Sequence, residues 1–265
     1  QGETYDARKA LEGWNRAGFV EPNWAFAQEF PEREAQQLQL YPGNPVQIVR
    51  ELPIKSIKKV GAEKYIVDFG QNFAGIVRLK MRAQQGDSLV FRYGEMLHPD
   101  GSLVTENLRR ARAIDTYVFR GDTKGEEWSP SFTFHGFQFV EITGLKEAPK
   151  KDFLVGLALS SAVPEVGEFA SDNALLKQLY SNIVWTQRAN CLDIPTDCPQ
   201  RDERLGWTGD AQVYMRSAAF NTDIAAFHTK WLQDLNDAQW DNGAFPIYAP
   251  MPTDDSGLAA IRRSD

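Results

Sequence analysis

Cysteine and histidine are both scarce, with two Cys (Cys191 and Cys198) and three His in 265 residues. Two thiols cannot build a disulfide framework, and with three His they give no four-ligand zinc spacing. Both are read as reduced thiols, and neither a metal nor another cofactor is expected. Long apolar stretches are missing too: no run of eighteen apolar residues and no basic, apolar, small-residue leader is visible. The chain begins at Gln1 rather than Met, which reads as a processed or excised piece, so the compartment stays open. A cationic surplus is also lacking. Lys and Arg number 29 against 36 Asp and Glu, a net charge of −7, and that field opposes a nucleic-acid backbone or an anionic membrane. No nucleic acid and no membrane is expected as partner; a neutral or cationic one is.

What the chain does hold is enough apolar residue, 42% with 12% aromatic, for at least one sizeable core, and its length favours two domains. Residues 1–41 are aromatic-rich but aperiodic, with Trp14, Phe19, Trp24, Phe26 and Phe30 among Gly and Pro, and read as a linker or the tail of a preceding domain. Residues 42–159 change to short β-branched and aromatic runs closed by turn residues: VQIVREL, KYIVDFG, GIVRLKMRA, DSLVFRYGEM, DTYVFRG and FQFVEITGL. Such runs without helical period predict an antiparallel β-sandwich. From residue 160 to 265 the pattern becomes helical. Ser171 caps a helix with Leu175, Leu176, Leu179, Ile183 and Val184 at helical spacing. A second helix is predicted from near Thr208 to Phe220, and a third, capped by Thr222 or Asp223, puts Ile224, Phe227, Trp231, Leu232 and Leu235 on one face. So few helices are read as the N-terminal part of a larger helical domain, cut short.

Between these helices lies DIPTDCPQRDERLGWTGDAQ, residues 193–212, which crowds carboxylates, arginines and a tryptophan among prolines and glycines. Pro195 and Pro199 push the residues before them toward extended backbone, fixing Asp197 in a loop. A helical turn from Glu203 to Asp210 would bring Trp207 and Asp210 onto the face of Glu203. An indole beside a carboxyl and the like charge of Asp197, Asp202 and Asp210 would then raise the pKa of Glu203, making it a general acid. The competing reading is a surface turn in which Arg201 and Arg204 neutralise Asp202 and Glu203 and Trp207 is core. Carboxylates, Arg and Trp together suit a sugar, which offers hydroxyls to the former and a C–H face to the indole. Trp240, Asp241, Asn242, Gly243, Phe245, Pro246 and Tyr248 repeat the mixture downstream, as a stapled turn or a cleft wall. Asp68-Phe69-Gly70 stands without other kinase signatures, His98 and His135 read as structural, and no phosphate-cradling glycine loop is seen.

The segment Asp197-Cys198-Pro199-Gln200-Arg201-Asp202-Glu203-Arg204-Leu205-Gly206-Trp207-Thr208-Gly209-Asp210 resembles the bacterial α-L-rhamnosidase family of inverting glycoside hydrolases. The similarity continues through residues 68–75 (DFGQNFAG), 135–141 (HGFQFVE) and 2–8 (GETYDAR), and so touches nearly the whole chain. The resemblance implies a β-sandwich followed by the first helices of an (α/α)6 barrel, incomplete here, and hydrolysis of terminal α-L-rhamnose with inversion. It gives Glu203 as the general acid, Asp197, Arg201 and Asp210 as holders of sugar hydroxyls, and Trp207 as an aromatic wall. Inversion also needs a base roughly 6.5–9.5 Å from the acid. In the family this is a glutamate far along the barrel, and nothing here matches it. The chain is therefore expected to be a fragment with half the catalytic pair and little or no activity, whose exposed barrel seams let it oligomerise or bind an apolar partner. A non-catalytic rhamnose-binding module and a scaffold sandwich are the alternatives. Whether Asp202 rather than Glu203 faces the scissile oxygen stays open.

Overall fold

The computed structural model describes residues 2–29 and 40–251. Nine strands form one continuous sheet: β1 (Thr4–Asp6), β2 (Val46–Pro53), β3 (Ser56–Lys59), β4 (Lys64–Met81), β5 (Ser88–Gly94), β6 (Ile114–Val118), β7 (Glu126–Trp128), β8 (His135–Thr143) and β9 (Leu154–Ser161). The order is β1-β6-β5-β8-β4-β9-β2, with β3 and β7 also on β4; only the β1–β6 pair is parallel. The expected runs KYIVDFG and GIVRLKMRA are one strand. Its first part pairs with β8, the register breaks between Asp68 and Phe73, and residues 75–79 pair with β9. By changing partner, β4 folds the sheet over a single core, the corner device of two-layered β-proteins.

That core is aromatic. Phe73, Phe91, Tyr93 and Phe137 are almost wholly buried, and the Phe73–Phe137 and Tyr93–Phe137 ring centroids lie 4.4 and 4.8 Å apart, within the range where aromatic pairs add to simple burial. Buried Asp115 meets His135 Nε2 at 3.0 Å, and the imidazole stacks on Tyr93. His135 is thus structural, as the sequence suggests. Two features depart from expectation. Strands β3, β7 and β9 lie outside the runs read as strands; β9, with Gly156, Ala158, Ser160 and Ser161, is mostly buried. Residues 4–6, read as part of a linker or an earlier domain's tail, instead add to the sheet beside β6, and the Glu3 N–H donates to Asp115 Oδ1 at 2.8 Å. Phe30, read with that stretch, lies outside the described residues.

The helices are α1 (Ala174–Asn190), α2 (Thr208–Asn221) and α3 (Ala225–Asp237). Asn173, not Ser171, caps α1, its side chain accepting from the N–H groups of Leu175 and Leu176; Ser171 Oγ accepts from Asn173 one step earlier. At α3 the Asp223 carboxylate accepts from Ala225 N–H at 3.2 Å. Helix α1 reaches the sandwich core through Trp185, and α3 buries Phe227 and Trp231. The expected stripe on α1 faces outward: Leu175, Leu176, Leu179 and Ile183 are all exposed. No helix among the described residues is long and apolar enough to cross a membrane.

Candidate active site

The acidic loop leaves α1 through a two-stranded turn, β10 (Cys191–Leu192) against β11 (Ile194–Pro195). Its apex, Asp193, takes a left-handed backbone with φ 67°, a conformation Asp tolerates better than most residues. Lys230 Nζ and Tyr41 Oη both donate to its carboxylate, at 2.9 and 2.5 Å, and its own N–H donates to Ser161 Oγ. The turn is therefore anchored to α3, to the N-terminal segment and to the end of β9 at once.

Beyond it the backbone is not helical from Glu203 to Gly206, and α2 starts only at Thr208. The expected stacking of Glu203, Trp207 and Asp210 on one helix face is not what forms. The reason lies downstream. Gly206 O accepts from Ala249 N–H, and Thr208 donates through both N–H and Oγ1 to Ile247 O. A Cβ at Gly206 would stand 2.4 Å from Ala249 O, so only glycine permits this approach. The aromatic segment 240–248 thus staples the loop: Tyr248 is buried and meets the Trp207 ring edge-on at 5.3 Å.

Asp197, Arg201 and Glu203 do come together. Asp197, whose side chain is 7% exposed, accepts from Leu205 N–H at 2.9 Å and from Arg201 Nη2 at 3.3 Å. Arg201 Nε donates to Glu203 Oε2 at 3.0 Å, and the same oxygen accepts from Arg109 Nη1 at 2.9 Å. Next to it Arg110 Nε donates to Asp202 Oδ2, also at 2.9 Å. Cys198 is buried beside the cluster; burial pushes its thiol up to about 11. The ligand atoms of Asp197, Cys198 and Glu203 lie within 4.8 Å of one another, but Arg201 already pairs with both carboxylates.

These contacts reverse the electrostatic expectation for Glu203. Burial is the largest influence on its carboxyl and raises the pKa. The hydrogen bond from Arg201, the charges of Arg201 and Arg109 and a smaller contribution from Trp207 together outweigh it and hold the group below the ordinary glutamate range. The Arg110 hydrogen bond likewise lowers Asp202. The salt-bridged-turn alternative holds in part: Arg201 does pair with Glu203, and both Glu203 and Asp202 are neutralised, but Arg204 takes no share, since it donates to Phe134 O at 3.0 Å and lies over the Phe134 ring. The other cations come from the sandwich. Arg109 and Arg110 escaped the sequence reading, although the run LRRAR, residues 108–112, is a basic cluster that answers the acidic one. Arg109 holds φ 55° and ψ −117°, which no sequence pattern announces. Gly136 of β8 completes the junction, since a Cβ there would fall 2.8 Å from Pro199 Cγ.

Trp207 touches this cluster through Glu203, whereas Asp210 makes no ion pair with it. Trp207 is partly buried at the start of α2. Asp210 is exposed in its first turn and, with Asp197, Tyr214, Phe227 and His228, lines a cavity of about 580 Å³ between α1 and α2. Glu203 does not line that cavity.

Comparison with known proteins places the chain among the bacterial α-L-rhamnosidases. Residues 164–261 match the bacterial alpha-L-rhamnosidase 6 hairpin glycosidase domain, and residues 58–160 match the bacterial alpha-L-rhamnosidase concanavalin-like domain. The chain is 43% identical over 250 residues to an alpha-L-rhamnosidase of Streptomyces avermitilis, covering 94% of this chain and 24% of that protein. It is 40% identical over 252 residues to one of Formosa agariphila, covering 94% and 27%. Among solved structures, the Streptomyces avermitilis alpha-L-rhamnosidase complexed with L-rhamnose superposes with a TM-score of 0.89 at 41% identity, over 94% of this chain and 24% of that one. The alpha-L-rhamnosidase of Dictyoglumus thermophilum gives 0.86 at 37%, over 93% and 28%. The chain belongs to the bacterial α-L-rhamnosidase family, and it spans about a quarter of the length of the curated relatives it matches.

Proposed function

We infer that this chain supplies the acid half of an inverting α-L-rhamnosidase, which hydrolyses terminal α-L-rhamnose from glycosides or polysaccharides. The observation that carries this reading is the Asp197–Arg201–Glu203 cluster, in a chain 41% identical to a rhamnosidase solved with L-rhamnose. The sheet and the helices that follow it meet at that cluster, where Arg109 pairs with Glu203 and Arg110 with Asp202. Asp197, Arg201 and Asp210 bind sugar hydroxyls, and Trp207 offers its ring to the sugar's C–H face. Glu203 gives its proton to the glycosidic oxygen as the C–O bond breaks, while water attacks the anomeric carbon from the opposite face and yields the inverted sugar.

A donor must first be protonated, and in the free chain Glu203 is clasped by two guanidiniums. A sugar hydroxyl that draws Arg201 away removes one of the two guanidiniums that hold this carboxyl down, and its pKa rises from the lowered value. Sugar binding and proton uptake are thereby linked. The water-activating carboxylate is not assigned among the described residues. The clasp also favours a second reading, a rhamnose-binding module in which Glu203 stays ionised.

Glu203→Gln in a full-length rhamnosidase carrying this sequence separates the two. The acid role predicts a loss of about 10²–10⁴-fold in kcat on a sugar rhamnoside, which needs a proton donor, with unchanged rhamnose affinity. Ordinary turnover by the variant removes the acid from position 203.

A further inference from the structure

A second cavity, of about 590 Å³, opens on the other side of Asp197, between the sandwich, α1 and the acidic loop. Its lining is made mainly of neutral amides, with Asn72 and Gln138 from the sandwich, Gln178 and Asn182 from α1 and Gln200 from the loop, beside the acids Glu95 and Asp197. Several are already held in place. Asn72 Nδ2 donates to Glu95 Oε1 at 2.8 Å, Gln138 Nε2 to Asp68 Oδ1 at 2.9 Å, and Gln178 Nε2 to Asn182 Oδ1 at 2.7 Å. Each of these bonds uses one end of an amide and leaves the other end, a carbonyl or an NH2, for a ligand. Trp185 and Pro199 add apolar surface.

The charge of this lining decides what fits. Glu95 and Asp197 bring two carboxylates, no lysine lines the cavity, and its single guanidinium, Arg201, is paired with Asp197 and Glu203. An anionic ligand would meet like charge and find no free cation, whereas a neutral polyol would find donors and acceptors side by side. The volume falls within the roughly 300–1,000 Å³ of small-ligand sites. Asp197 and Arg201 line this cavity and also form the acidic cluster, so a rhamnose held by them has its neighbour in the amide-lined space.

We propose that this cleft is a glycan subsite that holds the uncharged sugar bearing the rhamnose and rejects a uronic acid or sulfated sugar at the same place. The proposal rests on the rhamnose reading for which end of the glycan enters where. Calorimetry on this chain tests it with L-rhamnose, with rhamnosyl-glucose disaccharides linked 1→2 and 1→6, and with rhamnosyl-glucuronic acid. A neutral disaccharide binds at least tenfold more tightly than rhamnose. Asn182→Ala removes that gain and leaves rhamnose affinity unchanged, and the uronate binds no more tightly than rhamnose. Equal affinity for rhamnose and both neutral disaccharides overturns the subsite, as does a uronate that matches them. The side-chain amide NMR signals of Asn72, Gln138, Gln178 and Asn182, followed while methyl cellobioside is added, keep the two readings apart. If these signals shift while L-rhamnose produces no response anywhere, the neutral-glycan cleft stands and the rhamnose reading falls. If they stay fixed under both cellobioside and the rhamnosyl-glucosides, the cleft falls.

Discussion

Phe137 in the sandwich and Val213 in α2 are both large apolar side chains, yet the first is fully buried and the second is 82% exposed. The contrast holds across the two regions. The sheet wraps its aromatic residues into one cluster, while α1 and α2 turn Leu175, Leu179, Val213 and Phe220 toward solvent. The sandwich satisfies its own apolar surface. The helices are fastened by a few anchors, Trp185, Phe227 and Trp231, and by polar ties such as the Gln187 side chain, which donates to Thr222 Oγ1 and accepts from Tyr214 and Asn221. The Asp197–Arg201–Glu203 cluster lies where the two meet: the self-sufficient half supplies Arg109 and Arg110 to a loop that the other half suspends.

The largest effect expected is on the sandwich core. Phe137→Ala leaves a cavity among Phe69, Phe73 and Tyr93 and costs about 3–5 kcal/mol in urea unfolding. Val213→Ser, by the same assay, changes stability by no more than about 0.5 kcal/mol; equal costs would break the comparison. Arg201→Ala comes next. It strips the pairing cation from buried Asp197 and from Glu203, and L-rhamnose affinity measured by calorimetry falls at least tenfold. Smaller still is Arg109→Gln, which sharpens the part played by the junction. Arg109 lowers the folded-state pKa of Glu203, so its stabilisation is present above the unfolded glutamate value of about 4.3 and is lost as pH falls through the lower folded value. The urea-midpoint difference between wild type and variant is therefore full at neutral pH and vanishes in acid. The smallest change in stability is expected for Val213→Glu, on a side chain already 82% exposed, with a urea midpoint within error of wild type.

Much of this was legible in the residues, and the failures have physical causes. Period-two and helical spacing marked the sandwich and placed α2 at its observed start, and the motif from Asp197 to Asp210 identified the loop. Strand continuity was not legible, since Gly70 and Asn72 read as a turn between two strands where β4 only shifts register. The face on which α1 buries itself was missed because Trp185 and Gln187, not the apolar stripe, turn inward. The sign of the Glu203 shift was missed for a different reason. Neighbours in sequence are acidic, but its decisive neighbour in space, Arg109, is 94 residues away, and the ion pair it makes depends on a backbone conformation that no local signal encodes.

The account's central claim is that Glu203 is an ionised, doubly clasped carboxylate that sugar binding converts toward a proton donor. Carbon-13 NMR titration of the Glu203 carboxyl, with and without saturating L-rhamnose, measures this directly. The account predicts a midpoint below the ordinary glutamate range in the free chain and a rise when the sugar is bound. A midpoint at or above that range in the free chain, or one that L-rhamnose leaves in place, contradicts it.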